Sequence, residues 1–330
     1  MNEEKFIGKD DILKIAGAFK ESRILLTAVE LDIFTILGTH MLTIDEITNK
    51  TGSDKRATER LLAALAGMGL LRKLKEKYYN TDISKTYLNK NSKEYLGMIN
   101  HSNNLWDSWG TLTEAVKKGT SVIKSNINER PQEWRNNFIQ AMHNRGVRQA
   151  DLLSYMIDFT TVKLMLDVGG GSGAFSFAFL NKNENLKAVI FDLPNILPIT
   201  KEYIEKAKLS DRIKTVAGDY HKDEFPQNLD LIFLSAVIHI NSYEENAALI
   251  SKCYSSLNPG GQIIILDYVM SEDRLTPYSG SLFSLNMLVG TLNGDTYTKT
   301  EITQWYNNAG IQEVEFKPTS FGSTLIVGRK

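Results

Sequence analysis

Residues Leu166 to Gly173 read LDVGGGSG, and this run constrains the fold more than any other part of the chain. An apolar stretch ends here in an acid and then in glycines, and Ala174–Leu180 follows as a helix start. The order predicts a buried strand, a tight turn and a helix N-terminus. Glycines let a ligand approach the backbone closely, and the N–H groups of a helix start face such a ligand. The run therefore predicts a loop that binds a nucleotide-like ligand.

Size and charge exclude several classes of protein. The 330 residues are enough for two domains, and 42% apolar with 23% charged residues is ordinary for a globular chain. The net charge of −1 gives no electrostatic basis for binding nucleic acid or an anionic membrane. The longest apolar run, around Leu231–Ile240, is too short to cross a bilayer, and no signal segment is visible. We therefore expect no nucleic-acid and no membrane partner.

Cysteine and histidine usage points to a reducing compartment without a metal site. Cys253 is the only cysteine, so the chain has no disulfide framework. The five histidines are scattered, and no Cys/His cluster has zinc spacing. We expect a cytoplasmic protein that holds no metal.

The first hundred residues have the pattern of a winged helix. Apolar residues recur at helical spacing through the first 34 residues, and Thr43 with Glu46 forms a capping box. Ser53 is placed to cap the next helix. Leu70–Asn80 then predicts a hairpin that turns near Lys75–Lys77.

A winged helix suits either DNA or a protein partner. A set of basic residues favours DNA: Lys55, Arg56, Arg60, Arg72, Lys73, Lys75 and Lys77. Acids interrupt this set, and Leu61–Leu71 is too apolar for a helix that reads a DNA groove. We therefore favour a protein-interaction domain whose partner is a second copy of the chain.

A helical bridge follows near Tyr95–Ile157, and then the period changes. From Val162 onward, predicted strands alternate with predicted helices. This alternation indicates an α/β fold with a parallel sheet covered on both faces. Two strands at the end of the chain, around Gln312–Phe316 and Thr324–Val327, are expected to add an antiparallel pair, which an NAD-binding fold does not need.

Acids stand at the ends of three successive predicted strands. They are Asp167, Asp192 and Asp219. Open parallel sheets bind ligands beyond the carboxyl ends of their strands, and Asp192 is about 20 residues past the glycines, where a carboxylate can accept both ribose hydroxyls. Asp167 can meet the amino group of a methionine moiety, and Asp219 is placed for the amino group of adenine. The set favours S-adenosylmethionine (SAM).

A dinucleotide remains an alternative ligand. Gly169, Gly171 and Ala174 satisfy the loose G-x-G-x-x-A pattern, and Asp192 suits either cofactor. The loop, however, lies in mid-chain after a helical region rather than near the N-terminus. An NAD-dependent oxidoreductase is therefore the less favoured hypothesis.

Six segments carry a resemblance to a known family: LDVGGGSGAF, FDLPNIL, GDYH, LSAVIHINSYEEN, LNPGGQIIILDYVM and NGDTYTKTEITQWYNNAG. In this order they resemble the motifs of the caffeate/acetylserotonin-type O-methyltransferases, which are class I SAM-dependent enzymes. The resemblance covers essentially the whole chain. It implies a Rossmann-like SAM-methyltransferase sheet, a mostly α-helical winged-helix N-terminal domain, and a homodimer formed through that domain.

The resemblance also divides the chain and assigns residues. It implies a dimerisation domain over 1–100, a helical bridge lining the substrate pocket over 101–157, and a methyltransferase domain over 158–330. The expected cofactor is SAM, with S-adenosylhomocysteine (SAH) as product. The residues expected to bind it are Asp167, Gly169, Gly171, Gly173, Asp192, Leu193, Asp219, Tyr220 and Ser235.

His239 stands where the family keeps its general base, at the expected end of an apolar strand. A neutral imidazole suits removal of a proton from a phenolic or enolic hydroxyl. The family's first supporting Glu corresponds to Asp267, which we expect to orient His239. Its second corresponds to Thr296, and its His-Asp-Trp sequence is His239, Ile240 and Asn241 here. Two acidic groups of the family pattern are therefore missing.

We predict a methyltransferase that acts on a hydroxyl of a small aromatic or polyketide-like molecule. The residues expected to line the acceptor site are Met142, Asn286, Met287, Trp106 and His143. The missing acids leave a carbon or nitrogen acceptor open, because such acceptors need less help from a base. A SAM-sensing winged-helix regulator is a further alternative.

Overall fold

A computed structural model describes residues 7–123 and 132–330 of the chain. The chain forms two compact units, of which the first ends at Asn104 and the second begins at Leu105.

The N-terminal unit consists of short helices and a hairpin. Its elements are the helices Lys9–Gly17 (α1), Phe19–Glu30 (α2) and Ile33–Leu37 (α3), the strand Leu42–Thr43 (β1), the helices Ile44–Thr51 (α4) and Lys55–Gly67 (α5), the strands Leu71–Leu74 (β2) and Lys77–Asn80 (β3), and the helix Asp82–Tyr87 (α6). The strand order is β1-β3-β2, and β2 with β3 forms the predicted hairpin. Phe34, Ile47 and Leu62 lie in the core of this unit.

The helix starts of this unit confirm one prediction and correct another. Thr43 and Glu46 form the predicted capping box at the start of α4. The cap of α5 is Asp54 rather than Ser53, because the Asp54 carboxylate accepts the N–H of Ala57 at 2.8 Å. The Ser53 hydroxyl is engaged instead with a neighbouring threonine hydroxyl.

Within residues 95–123 and 132–157, three helices correspond to the predicted bridge. They are Met98–Gly110 (α7), Leu112–Lys118 (α8) and Gln132–Leu153 (α9). Gly146 of α9 packs closely on the second unit's core, since an added Cβ would lie 3.1 Å from the Cβ of Ala174.

The second unit is built on a mixed sheet of seven strands. The strands of this unit are Leu164–Val168 (β4), Lys187–Asp192 (β5), Ile213–Ala217 (β6), Leu229–Ser235 (β7), Leu257–Asp267 (β8), Val269–Met270 (β9), Tyr297–Thr298 (β10), Val314–Pro318 (β11) and Thr324–Arg329 (β12). Of these, β9 and β10 lie outside the large sheet. The order in the large sheet is β11-β12-β8-β7-β4-β5-β6, and β9 pairs with β10 separately. β12 is antiparallel to both neighbours, as the sequence predicted.

Helices cover both faces of the sheet. They are Ala174–Lys182 (α10), Leu197–Ala207 (α11), Tyr243–Ser256 (α12), Tyr278–Gly290 (α13) and Lys299–Ala309 (α14). Ile250 of α12 and Trp305 of α14 belong to the core on one face. Phe179 of α10 and Ile204 of α11 belong to the core on the other face. The layers therefore match the α/β alternation in the sequence.

The strand order reverses between β4 and β7. From β4 the chain proceeds to β5 and β6 on one side, and β7 and β8 lie on the other. A crevice opens beyond the carboxyl ends of parallel strands at such a switch point, and ligands bind there in open α/β sheets. The predicted site residues at the ends of β4 and β7 flank this crevice.

No helix within the described ranges is both long enough and apolar enough to cross a membrane.

Candidate active site

The loop after β4 is shaped by glycines in the left-handed region. Gly169, Gly171 and Gly173 have φ values of 66°, 55° and 80°, which only glycine adopts without strain from a side chain. At Gly173 an added Cβ would lie 2.8 Å from side-chain carbons of both Ile190 and Phe177. The loop therefore lies tightly over the sheet, and α10 begins directly after it, as predicted.

Asp167 lies beneath this loop. Its side chain is 2% exposed, and its carboxylate accepts a hydrogen bond from the Ser176 hydroxyl at 2.6 Å. Burial, together with the neighbouring Asp192 carboxylate, raises the pKa of Asp167 to about 7. The group is thus poised to gain a cationic partner, because a positive charge nearby favours its ionised form.

Asp192 ties the ends of β4 and β5 together. Its carboxylate accepts the backbone N–H groups of Gly171 at 2.8 Å and Leu193 at 2.7 Å. Burial raises the pKa of Asp192, although these two hydrogen bonds oppose the effect. The Thr200 hydroxyl holds the same loop by donating to the Gly171 carbonyl. An ionised carboxylate has about four acceptor sites, so capacity remains for ribose hydroxyls.

Asp219 and Tyr220 follow the end of β6. Asp219 pairs with Lys222 at 2.8 Å and accepts the N–H of His221 at 3.0 Å. Partial burial raises the pKa of Asp219, but these hydrogen bonds outweigh it and the pKa lies below its usual value. The Tyr220 hydroxyl donates to Asn241 Oδ1 at 3.0 Å, and burial raises the pKa of Tyr220.

His239 does not end a strand, which corrects the sequence-based expectation. β7 stops at Ser235 because Ala236 adopts a φ of 57°, and the chain then forms a 3₁₀ turn, Ile238–Ile240. This turn lies beside the glycine-rich loop, since an added Cβ on Gly169 would be 3.3 Å from Val237. We call Val237–Asn241 the catalytic turn, after the general base that the sequence predicts at His239.

His239 and Asp267 form a buried dyad. His239 Nδ1 lies 2.9 Å from both carboxylate oxygens of Asp267, which also accepts the N–H of Tyr268. The side chains of His239 and Asp267 are 11% and 3% exposed. A carboxylate at Nδ1 fixes the tautomer whose Nε2 has a free lone pair. The dyad is therefore able to accept a proton at Nε2.

The second acidic position of the family pattern is a threonine in this structure. Thr296 is buried, and its carbonyl accepts a hydrogen bond from Arg274. Arg274 also pairs with Asp295 and Glu301, which holds this loop in place. Gly294 lies against the catalytic turn: an added Cβ would be 2.4 Å from the carbonyl oxygen of His239.

The predicted acceptor-site residues come from three helices. Trp109 of α7 donates from Nε1 to Asn286 Oδ1 on α13 at 2.9 Å. Met287 is adjacent on α13 and buried, whereas Trp106 of α7 and Met142 of α9 are half-buried.

His143 of α9 lies beside the glycine-rich loop. Its Nδ1 is 2.8 Å from the hydroxyl oxygen of Ser172, and its ring centroid is 4.2 Å from that of Tyr203. Burial, and then the charge of Lys206, lower the pKa of His143. A place in the acceptor wall stays a prediction for His143.

Two aromatic residues near the dyad escaped the sequence analysis. The Phe283 ring meets His239 edge-on with centroids 4.7 Å apart, and it also contacts the Tyr268 ring at 4.7 Å. Phe283 is four residues before Met287, so helical spacing along α13 is the sequence signal that could have identified Phe283. Among the described residues there is no cluster of three or more side chains able to hold a metal ion.

A glycine-rich loop, acids at consecutive strand ends and an added antiparallel strand define an α/β methyltransferase fold of the class that binds SAM. The O-methyltransferase domain model matches residues 109–312, and the O-methyltransferase dimerisation domain model matches residues 13–90. The chain belongs to the O-methyltransferase family. It is a SAM-dependent methyltransferase.

Two curated relatives match nearly the whole chain. The tetracenomycin polyketide synthesis 8-O-methyl transferase TcmO of Streptomyces glaucescens is 30% identical over 98% of this chain and 97% of its own. The acetylserotonin O-methyltransferase of Gallus gallus is 30% identical over 97% of this chain and 96% of its own.

A solved structure agrees with the fold and the cofactor. The human N-acetylserotonin methyltransferase, crystallised in complex with SAM, superposes with a TM-score of 0.82 at 26% identity. The match covers 100% of this chain and 99% of that chain.

Proposed function

We propose that the enzyme methylates a hydroxyl of a small aromatic or polyketide-like molecule, with His239 as general base. The single observation that carries this proposal is the buried dyad of His239 and Asp267 beside the switch point of the sheet. SAM supplies an activated methyl group on a sulfonium centre. What the chain must add is alignment of the acceptor oxygen and removal of its proton.

The proton follows a short path in this proposal. The acceptor hydroxyl gives its proton to His239 Nε2 as the oxygen bonds to the methyl carbon, while the bond from that carbon to sulfur breaks and SAH is left. The Asp267 side chain at Nδ1 stabilises the imidazolium that forms. Phe283, edge-on to the imidazole, restricts water on one side of the ring.

The cofactor residues divide into three groups of different chemistry. The glycine-rich loop gives the methionine end a close backbone approach, with Asp167 beneath it for the amino group. Asp192 ends β5 and Leu193 follows it, and the Asp192 carboxylate is placed there for the ribose hydroxyls. Asp219 and Tyr220 follow β6 and Ser235 ends β7, which suits them to the adenine side. Binding of adenine to Asp219 would compete with the Lys222 ion pair.

The acceptor class follows from the aromatic wall and from the relatives. Trp109, Phe283 and Tyr268 supply flat apolar surface, and Asn286 supplies a polar group that the Trp109 indole orients. TcmO is named for a polyketide pathway and the Gallus gallus relative for acetylserotonin. Together these favour a hydroxyl on a small aromatic or polyketide-like molecule.

Replacement of His239 tests the base. We expect His239→Ala to lower kcat by about 10²- to 10⁴-fold, the usual contribution of a general base. Isothermal titration calorimetry should show SAH affinity within about twofold of wild type. Product analysis by mass spectrometry and NMR, with a panel of phenols and amines, locates the methyl group. Unchanged turnover in His239→Ala would refute the base, and a methyl on carbon or nitrogen would refute the hydroxyl acceptor.

We further propose a homodimer formed through residues 1–100, with residues 101–157 lining the acceptor pocket and 158–330 carrying the transfer. The dimerisation-domain match and a row of exposed apolar side chains support the dimer: Ile12, Leu13, Ile15 and Phe19. Light scattering should give about twice the monomer mass. A Leu13→Glu/Phe19→Glu variant should give a mass closer to that of the monomer. A mass unaffected by both charges would contradict this interface.

The near-neutral charge supports the proposal that nucleic acid is not a partner. Cys253, the single cysteine, is fully buried, which supports a cytoplasmic location without disulfide chemistry.

A further inference from the structure

Two buried asparagines form hydrogen bonds at the catalytic turn. Asn241 is the last residue of that turn and is 1% exposed, and Asn246 lies in α12 and is 0% exposed. Amide groups buried this deeply destabilise a fold unless their N–H and C=O groups are paired. Their hydrogen-bond partners therefore tell what these amides hold in place.

The first part of their hydrogen-bond chain ends on the catalytic turn itself. Asn241 Nδ2 donates to Asn246 Oδ1 at 3.0 Å. Asn246 Nδ2 donates to the Ile238 carbonyl at 2.8 Å. This carbonyl belongs to the peptide group that joins Ile238 to His239. Asn246 therefore sets the orientation of that peptide group, and with it the direction in which the His239 side chain leaves the backbone.

The other part of the chain ends on the cofactor side of the sheet. Asn241 Oδ1 accepts the hydroxyl proton of Tyr220 at 3.0 Å. The Tyr297 hydroxyl donates to the Asn241 backbone carbonyl and so holds the same residue from a second direction. Tyr220 lies in the turn that follows β6, and Asn246 lies in α12. The catalytic turn is therefore held from two separate parts of the unit.

We propose that Asn241 and Asn246, anchored by Tyr220, form a positioning relay that orients His239 for proton transfer. The proposal rests on the proposed function of His239 as base. Ile240 and Asn241 replace the Asp and Trp of the resembling family, and Thr296 replaces its second acid, so one carboxylate is left to hold the imidazole. The relay supplies the missing restraint from the backbone side of His239.

Two substitutions probe the relay while keeping side-chain shape. Tyr220→Phe removes the anchoring hydroxyl. Asn246→Leu keeps a similar shape and removes both the N–H that binds Ile238 and the oxygen that accepts from Asn241. We expect each to lower kcat by about 3- to 10-fold, the effect of one or two lost hydrogen bonds. SAH affinity by calorimetry should stay within about twofold in the Asn246→Leu variant, because Asn246 lies outside the cofactor residues. Because Tyr220 is also placed on the adenine side, kcat of Tyr220→Phe is compared at saturating SAM. The double variant should lose less than the product of the two single effects, because both act on one path.

Tyr306→Phe is the matched control. Tyr306 is also a buried tyrosine, and its hydroxyl donates to the Ile263 carbonyl, away from the relay. It should lose stability in thermal melting without the fall in kcat. Equal kcat losses in Tyr306→Phe and Tyr220→Phe would overturn the relay, as would kcat values within twofold of wild type in both relay variants.

Nitrogen-15 NMR of the His239 ring separates failure of the relay from failure of the base. In wild type we expect the tautomer protonated at Nδ1. In both relay variants we expect a smaller fraction of this tautomer, because a displaced imidazole ring meets the Asp267 carboxylate less well. An unaltered tautomer with unaltered kcat, together with an inactive His239→Gln, refutes the relay alone. A changed tautomer together with a fully active His239→Gln shows that the relay holds the ring but refutes the base, and with it the proton-transfer purpose of the relay.

Discussion

The cofactor side and the acceptor side of this site are assembled from different distances along the chain. On the cofactor side, Ser176 binds Asp167 nine residues away and Gly171 binds Asp192 21 residues away. On the acceptor side, His239 binds Asp267 across 28 residues, and Trp109 binds Asn286 across 177. One side is a local strand–loop–helix unit, and the other exists only after distant segments have met.

This difference has a consequence for mutational sensitivity. The glycine-rich loop is held by its own glycines and by the Asp192 and Thr200 side chains, so its shape depends little on the acceptor side. The catalytic turn depends on side chains from the turn after β6, from β8, α12 and β10, and on the loop before β10. We therefore expect changes around the catalytic turn to lower kcat while SAH binding persists.

The sharpest separation of the two sides should come from Asp267→Asn. An amide at this position no longer enforces protonation at His239 Nδ1, and we expect kcat to fall by about 10²- to 10³-fold. SAH affinity measured by calorimetry should remain unchanged. Asp267→Glu is the control, because it keeps the carboxylate, and it should retain activity within about tenfold. Equal losses in both variants would mean that charge is not what Asp267 contributes.

Gly294→Ala should have the next largest effect. The new Cβ would lie 2.4 Å from the carbonyl oxygen of His239, so the backbone of the catalytic turn must shift. A misplacement of about 1 Å at a reacting group lowers the rate about 10²-fold. Gly290→Ala is the matched control, since nothing lies within 4 Å of its added Cβ. Steady-state kinetics that leave Gly294→Ala at wild-type kcat would contradict the coupling between this loop and the turn.

The smallest expected effect is on the cofactor side, where SAM affinity should depend on pH. Burial raises the pKa of Asp167 to about 7, so the folded protein without SAM favours the protonated form of this group. The free energy of unfolding therefore falls as pH rises from about 4 to 7, because ionisation of Asp167 is less favourable in the folded state than in the unfolded chain. A cationic amino group favours the ionised form. SAM affinity should therefore rise by about tenfold from pH 5.5 to 7.

Calorimetry on Asp167→Asn tests this expectation. The amide keeps an oxygen for the Ser176 hydroxyl and has no proton to lose, so the rise in affinity should disappear. The same rise in Asp167→Asn would assign it to another group.

Local patterns predicted more of the cofactor side than of the acceptor side. Strand β4, the glycine turn, α10 and the acid that ends β5 all follow from short runs of residues. The capping box of Thr43 with Glu46 was likewise readable, because both partners lie within one helical turn. The cap at α5 was misplaced by one residue, since Ser53 and Asp54 are both good caps and only packing chooses between them.

The catalytic turn shows where sequence reasoning stops. The resemblance drew attention to His239, yet the placement of His239 on a 3₁₀ turn depends on the backbone of Ala236. Nothing in the spacing of Asn241 and Asn246 indicates that their amides pair, because one ends a turn and the other lies within a helix.

From its sequence alone this chain is an α/β protein with a helical N-terminal region, a glycine-rich nucleotide loop and acids at the ends of successive strands. Those features depend on neighbours in the chain, for which residue type and spacing are sufficient. The tertiary structure alone decided that His239 meets Asp267 and Phe283, and that Asn241 joins Tyr220 to Asn246. Such contacts arise from the packing of segments far apart in sequence, and hydrogen bonds between side chains are settled by tenths of an ångström that no local pattern encodes.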